Sequence, residues 1–265
     1  MKNTFKKAAA VCVTLGLVFF ISACATQKES ISYEEKSYSI DADKVTQISL
    51  SDRDRKVELV ESMDSKIHIT YFESDKESYE VNITEENELV MKLVTDKDWK
   101  DYVGLDTDKA YRLVQIAVPS GISSGVNIIT SKANIILSDV NIDGSVEATT
   151  SDGSIEITNA SVSDNLKLKN KNDDIILSGV NAVGSIDATI SNGNIEVTKV
   201  AVDKALKLKT KNGDITGTII GSYDAFNITS DASKGKNNLP ENKSSGDKTL
   251  EVSANNGDIN LEFVD

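Results

Sequence analysis

The sequence predicts an all-β chain whose second half is a β-solenoid of parallel strands with coils of ~20 residues. Three observations carry that expectation. Isoleucine recurs at 135, 155, 175, 195 and 215. Two further apolar columns keep the same interval, one through Val126, Val146, Leu166, Ile186, Leu206 and Phe226, the other through Val140, Ala160, Val180, Val200 and Ile220. Between the first two columns stand Asp152-Gly153, Asn192-Gly193 and Asn212-Gly213, pairs that tolerate positive φ and turn a corner. Three columns at one period describe a coil with three faces, each turn adding one strand to each of three parallel sheets. A series of hairpins also uses Asn-Gly turns. Only stacked rungs, however, must hold the spacing over five units without an insertion. Leucine-rich repeats share the length, but their consensus asparagine and helical arc are missing.

The true period is forty. Residues 136–175 and 176–215 are identical at 23 of 40 aligned positions. In parallel in-register stacking, equivalent residues lie only ~4.8 Å apart, so a strict twenty-residue repeat would stack like charges. Glu147, Lys167, Asp187 and Lys207 instead alternate in sign. Ile176 separates Glu156 from Glu196, and Asn194 separates Asp174 from Asp214. Inside, Ala148, Leu168, Ala188 and Leu208 alternate small and large, which lets layers interdigitate.

At the N-terminus, Lys2, Lys6 and Lys7 precede an apolar run, Ala8 to Ile21, too short for a permanent span. It ends in Ile21-Ser-Ala-Cys24, which resembles a bacterial lipobox. Residues 1–23 therefore read as a lipoprotein signal peptide. Cys24 is the expected lipid attachment site, carrying diacylglycerol and acyl chains that anchor the protein to the membrane on its extracytoplasmic side. Cys12 leaves with the signal, so no disulfide is expected. Removing three of the 29 basic residues leaves 26 against 42 acidic ones, a net charge of −16. That balance argues against nucleic acid as a partner.

Residues 24–36 read as a flexible tether. From 37 to 118, alternating runs such as Val57-Glu-Leu59, Ile67-His-Ile69, Val81-Asn-Ile83 and Leu89 to Leu93 predict a less regular β region, continuous with the solenoid at 119–265. Asp96 to Asp108 reads as a charged loop in which Trp99 and Tyr102 pack. The polar stretch 231–248 reads as a loop extruded from one coil. Leu250 and Val252 resume the pattern, and Ile259 follows Leu250 by nine as Ile135 follows Val126, so the last coil is intact.

Val114-Gln-Ile-Ala-Val-Pro-Ser-Gly121, followed by repeated N-G-D-I and D-G-S-I-E-I corners, resembles the "putative-adhesin" β-strand-repeat family of unknown function, found in exported proteins and lipoproteins. The resemblance covers about Ser39 to Val264. It implies a right-handed parallel β-helix, no established catalytic residues, and for some members a place in envelope-stress systems.

The chemistry-bearing residues are sparse. Asp139, Asn141, Asp143 and Gly144 match the opening of an EF-hand loop, yet position twelve is Thr150 rather than a bidentate glutamate. Val140 and Ile142 within it belong to an apolar column, and the sister repeat reads GVNAVG, so no metal is expected there. His68 is the single histidine, on a strand between two isoleucines, which removes zinc and triad chemistry. From Pro119 to Asp265 there is no Arg, His or Trp, and the aromatics are Tyr223, Phe226 and Phe263. A polysaccharide-active cleft normally needs more. The expectation is a lipid-anchored envelope protein without catalytic residues or cofactor, acting as a scaffold, sensor or binder. Its expected partner is an envelope protein or a cationic peptide, with surface adhesion as the alternative.

Overall fold

The computed structural model describes residues 32–96 and 111–265. The signal segment, Cys24 and the 97–108 stretch with Trp99 and Tyr102 lie outside the described residues. The chain is all-β. Its first strands are β1 (Glu34–Asp41), β2 (Gln47–Ser51), β3 (Lys56–Glu61), β4 (Lys66–Glu73), β5 (Glu77–Ile83), β6 (Glu88–Thr95) and β7 (Leu113–Val118). β1 starts at Glu34, inside the stretch expected to be tether, because Tyr38 and Ile40 pack on the core.

The repeat follows as rungs. They are β8 (Gly125–Ile129) with β9 (Ile135–Ile142), β10 (Val146–Thr149) with β11 (Ile155–Val162), and β12 (Leu166–Asn170) with β13 (Ile175–Ser178) and β14 (Asn181–Ala182). Next come β15 (Ser185–Asn192) with β16 (Ile195–Val202), and β17 (Ala205–Asn212) with β18 (Ile215–Ile220). The C-terminal strands are β19 (Phe226–Ala232), β20 (Asn242–Lys243), β21 (Lys248–Asn256) and β22 (Ile259–Val264).

Pairing between rungs is parallel and in register at twenty residues. Val146 pairs with Val126 and Leu166, and Ile155 pairs with Ile135 and Ile175. The Asn-Gly pairs are therefore corners between stacked strands, not hairpin tips. The inward residues form one contiguous core in which Ile135, Ile155, Ile175, Ile195 and Ile215 are buried. Burial of such side chains is worth about 1.5–3 kcal/mol each, and it supplies the energy that holds the coils together.

The described strands form two sheets, not the expected three. The isoleucine column and the column through Val140 belong to one sheet, because the strand bends without breaking at Asp139, Asn159 and Lys199, with φ of 54°, 51° and 53°; at Gly179, with φ of 63°, it is interrupted, yet β13 and β14 both pair with β11 and β16. A single left-handed residue turns the chain there while the ladder continues on both sides. The other corner needs glycine for space: a Cβ on Gly213 would lie 2.0 Å from the Gly193 carbonyl oxygen.

Two column assignments are also corrected. A register shift lies between Val197 and Val200, where β16 pairs with β18, so Val200 pairs with Ile219. Ile219 is thus the buried end of the third column, and Ile220 is exposed. Phe226 does not stack on Leu206. Leu206 pairs with Leu250, and the strand order reads β17-β21-β19, so the last rung lies between two strands that precede it in sequence.

At the other end, β2 and β3 pair in parallel with β8 and β9 at an offset that brings Ile48 to Val126 and Val57 to Ile135. β6 and β7 add one more parallel layer, and antiparallel β5, β4 and β1 finish the sheets.

Candidate functional site

The side chains that carry chemistry fall into three groups: polar ladders along the coil, a buried charged cluster in the N-terminal layer, and a cleft beside the end of β1. The longest ladder climbs a corner. Asn172 donates to Asp152 (2.7 Å), Asn192 to Asn172 (2.9 Å), Asn212 to Asn192 (2.7 Å) and Asn256 to Asn212 (2.6 Å). A second column caps backbone: the Asp174 carboxylate accepts from Asn194 N–H (2.7 Å), Asn194 from Asp214 N–H (2.9 Å) and Asp214 from Asp258 N–H (2.8 Å). Asp173 accepts from Gly153 N–H (2.6 Å). These corner acids tie one rung to the next.

The residues that match an EF-hand opening also bond along the coil. Asp139 accepts from the Asn159 amide (3.0 Å), Asn141 donates to Ser120 (3.1 Å) and Asp143 accepts from Ser163 (2.9 Å). Each side chain bonds a different neighbour. Among the described residues no group of His, Cys, Asp and Glu is arranged to hold a metal ion.

The expected charge ladder is present in register as Glu147, Lys167, Asp187, Lys207 and Glu251. Lys167 lies 3.0 Å from Glu147, and Lys207 lies 3.0 Å from Glu251. The hydrogen bond from Lys167 holds the Glu147 carboxyl below its ordinary range, and the same contact raises Lys167. Lys169, Lys171, Lys209 and Lys211 are exposed on the same face. Thr189 separates Lys169 from Lys209 in the ladder, so an acidic molecule carries one lysine-rich face.

The cluster that sequence reasoning missed involves Asp52, Arg55, Glu77 and Tyr79, all buried. One Asp52 oxygen accepts from the backbone N–H of Arg53 (2.6 Å), Asp54 (2.9 Å) and Arg55 (2.9 Å), and the other accepts from the Tyr79 hydroxyl. Arg55 Nη2 bonds Glu77 at 2.9 Å, and the guanidinium lies 5.1 Å from the Tyr79 ring centroid. The Tyr33 hydroxyl also reaches Glu77, at 2.9 Å. Burial, then the Asp52 carboxylate, push the Tyr79 hydroxyl far above its usual range, so it stays a donor. Burial disfavours the Arg55 charge, but Tyr79, Glu77 and Asp52 outweigh it and raise its pKa. The set is a satisfied ion network with one exception, Arg55 Nη1, which has no hydrogen-bond partner among the described residues. Its geometry suits a structural lock. The signal was parity: Arg55 continues the inward series of Val57 and Leu59 by two, and Glu77 and Tyr79 precede Val81 in the same phase.

His68 is an outward strand residue, as expected, with its Nε2 at 2.8 Å from Asp64. That hydrogen bond is the largest cause lowering the Asp64 carboxyl. A cleft of about 420 Å³ opens beside β1, lined by Asp41, Asp43, Ser65, Ser120, Ile122 and Ser123 among others. Asp41 in it is engaged by Lys44 (2.5 Å) and Lys66 (3.3 Å). No helix among the described residues is long and apolar enough to cross a membrane.

No curated protein matches the chain. Solved structures with a related course include a "putative cell adhesion protein" from Clostridium sporogenes, 12% identical with a TM-score of 0.39, covering 88% of this chain and 100% of that one. A "putative adhesin" from Bacteroides fragilis is 13% identical with a TM-score of 0.44, covering 88% and 97%. The family resemblance drawn from Val114 to Gly121 and the N-G-D-I corners holds. The Toastrack DUF4097 model matches residues 115–262, more than half of the sequence, and the chain belongs to that family.

Proposed function

We propose that this protein is a non-enzymatic, lipid-anchored rod of the cell envelope, a right-handed β-solenoid that serves as a scaffold or sensor through its surface. The observation that carries the reading is the fate of the polar side chains. The Asn172 to Asn256 ladder, the Asp174 to Asp258 column and the residues that match an EF-hand opening are each bonded rung to rung. Such bonds stiffen the coil and leave flat, regular faces. A stiff body with regular faces is suited to holding or reporting on another envelope component. Cys24 attaches it to the membrane, facing the extracytoplasmic side.

The anchor and the role are tested separately. Cys24→Ala should abolish palmitate labelling and release the protein from membranes; a variant that stays labelled and membrane-bound would refute the anchor. A strain without the gene should mishandle wall-active antibiotics while adhering normally. Lost adhesion with normal antibiotic tolerance would replace this role by surface adhesion. A second reading, capture of a cationic peptide, is favoured by the net charge of −16 after processing and by Asp41 and Asp43 in the cleft. It requires salt-sensitive peptide binding that Asp43→Asn weakens, and absence of binding at low ionic strength removes it.

A further inference from the structure

The C-terminal rung lies out of sequence order, and the residues around it can close without it. β21 pairs with β17 on one side, with Leu206 on Leu250 and Leu208 on Val252. On its other side it pairs with β19, with Leu250 on Ile228 and Ala254 on Ala232. β22 lies likewise on β18, with Ile215 on Ile259. The chain thus leaves β18, passes over one vacant position to lay down β19, and returns to fill the gap last.

β19 also carries the twenty-residue register for the position it passed over. In that register Phe226 would meet Leu206, Ile228 would meet Leu208, and Ser230 would meet Thr210, apolar on apolar and buried hydroxyl on buried hydroxyl. The connection has the length for both places. Six residues separate Val140 from Val146 and Val200 from Leu206, the ordinary climb of one rung. Nine separate Ile219 from Ile228, the residue now level with Leu206 across β21, and seven separate Ile219 from Phe226. Closing the gap would return this connection to near its ordinary length.

We propose that the slot between β17 and β19 is a strand-acceptor site and that its occupant, residues 248–264, can be supplied by a second copy of this chain. The stretch 233–247 is the hinge. It holds Gly235, Pro240 and Gly246 and spans up to about 50 Å when extended, enough to reach a neighbouring molecule. The ladders that hold the rung, β21 on β17 and on β19 and β22 on β18, re-form in trans, which is the condition for domain swapping. When the rung leaves, closure of β19 onto β17 covers the bared edge in sheet order, while β18 loses its partner β22. The closed monomer therefore dominates, and exchange requires concentration and warming.

The test uses full-length chains with Cys12 and Cys24 replaced by serine. One carries Lys209→Cys and the other Ser253→Cys, positions paired across β17 and β21. The two are mixed at high concentration, warmed below the melting transition, cooled and oxidised. The expected result is a 209–253 disulfide between chains in at least tenfold excess over 209–209 links. A ratio set by random collision overturns the proposal. A double variant, Lys209→Cys with Thr229→Cys, reads closure of the gap. Those positions now lie two rungs and two residues apart, beyond the ~7 Å reach of a disulfide. An intrachain link should form under the same conditions. If it forms without 209–253 links between chains, the slot closes but admits no second copy and the exchange proposal fails; if neither forms, both parts fail.

Discussion

The N-terminal layer and the repeated coil share their sheets but solve different problems. In the coil the buried residues are apolar or uncharged polar ones, and charge is kept outside, where alternating signs face each other up a ladder. In the layer made by β3, β5 and the turn at Asp52, an arginine, two carboxylates and a tyrosine are buried together. The coil can repeat because each rung presents the next with the same surface. The layer ends the repeat, so it meets a non-identical partner and fixes it with a specific ion network rather than with periodic burial. Repetition is served by shape; termination is served by charge.

The largest expected effect tests that contrast directly. Arg55→Ala should destabilise the protein by about 3–5 kcal/mol, because Glu77 is left buried without its partner. Urea unfolding reads it. The double replacement Arg55→Met, Glu77→Leu should recover most of the loss, since an apolar pair of similar volume carries no desolvation cost. If the double variant is as unstable as the single one, the network does more than fill space.

In the coil, a single added methyl at a corner is costly. Gly213→Ala should cost about 1–3 kcal/mol or more, since φ is 147° and the new Cβ lies 2.0 Å from the Gly193 oxygen. Thermal melting checks it, and an unchanged melting temperature would show that the corner relaxes. Smaller still, Asn192→Ala breaks the ladder on both sides, with Asn172 and with Asn212. At about 1 kcal/mol per net hydrogen bond, a loss of roughly 2 kcal/mol is expected.

The smallest effect is electrostatic. Lys167 depresses the Glu147 carboxyl below its ordinary 4.5 in the folded state. A depressed folded value contributes stability that is present above pH 4.5 and is lost as pH falls through the folded value. With Glu147 39% exposed, the contribution should be below about 1 kcal/mol. Lys167→Met should lower stability by that amount at neutral pH and leave it nearly unchanged below the folded value, so the profile flattens between the two. A loss that persists at low pH would point to packing of the lysine stem instead.

The contrast also explains what could be read in the sequence. The twenty-residue columns from Val126 to Leu208 and the sign alternation from Glu147 to Lys207 were legible, because stacking makes each position answer to its own copy. Three departures were not legible. Two columns share one sheet because a bend at Asp139 or Asn159 interrupts neither ladder. Ile219 replaces Ile220 because the register slips beside Val200. Phe226 keeps the interval and yet lies two positions away, because spacing fixes phase and says nothing of strand order. Of the candidate site, the outward place of His68 was readable from its neighbours. The Arg55 cluster was hidden by a polar run, SDRDRK, that looks like a turn until the parity of β3 is carried back through it.

The position of β21 has a mechanical consequence. A pull applied at Asp265 first peels β22 from β18. It then meets β21, which is bonded along both edges, to β17 and to β19. Extraction must shear two ladders at once. A pull at Glu34 meets only β1, an edge strand bonded to β4 alone in its sheet. That strand unzips from one end, one residue pair at a time. The rod is therefore the weaker against tension at its N-terminal end, the end that an anchor at Cys24 would load.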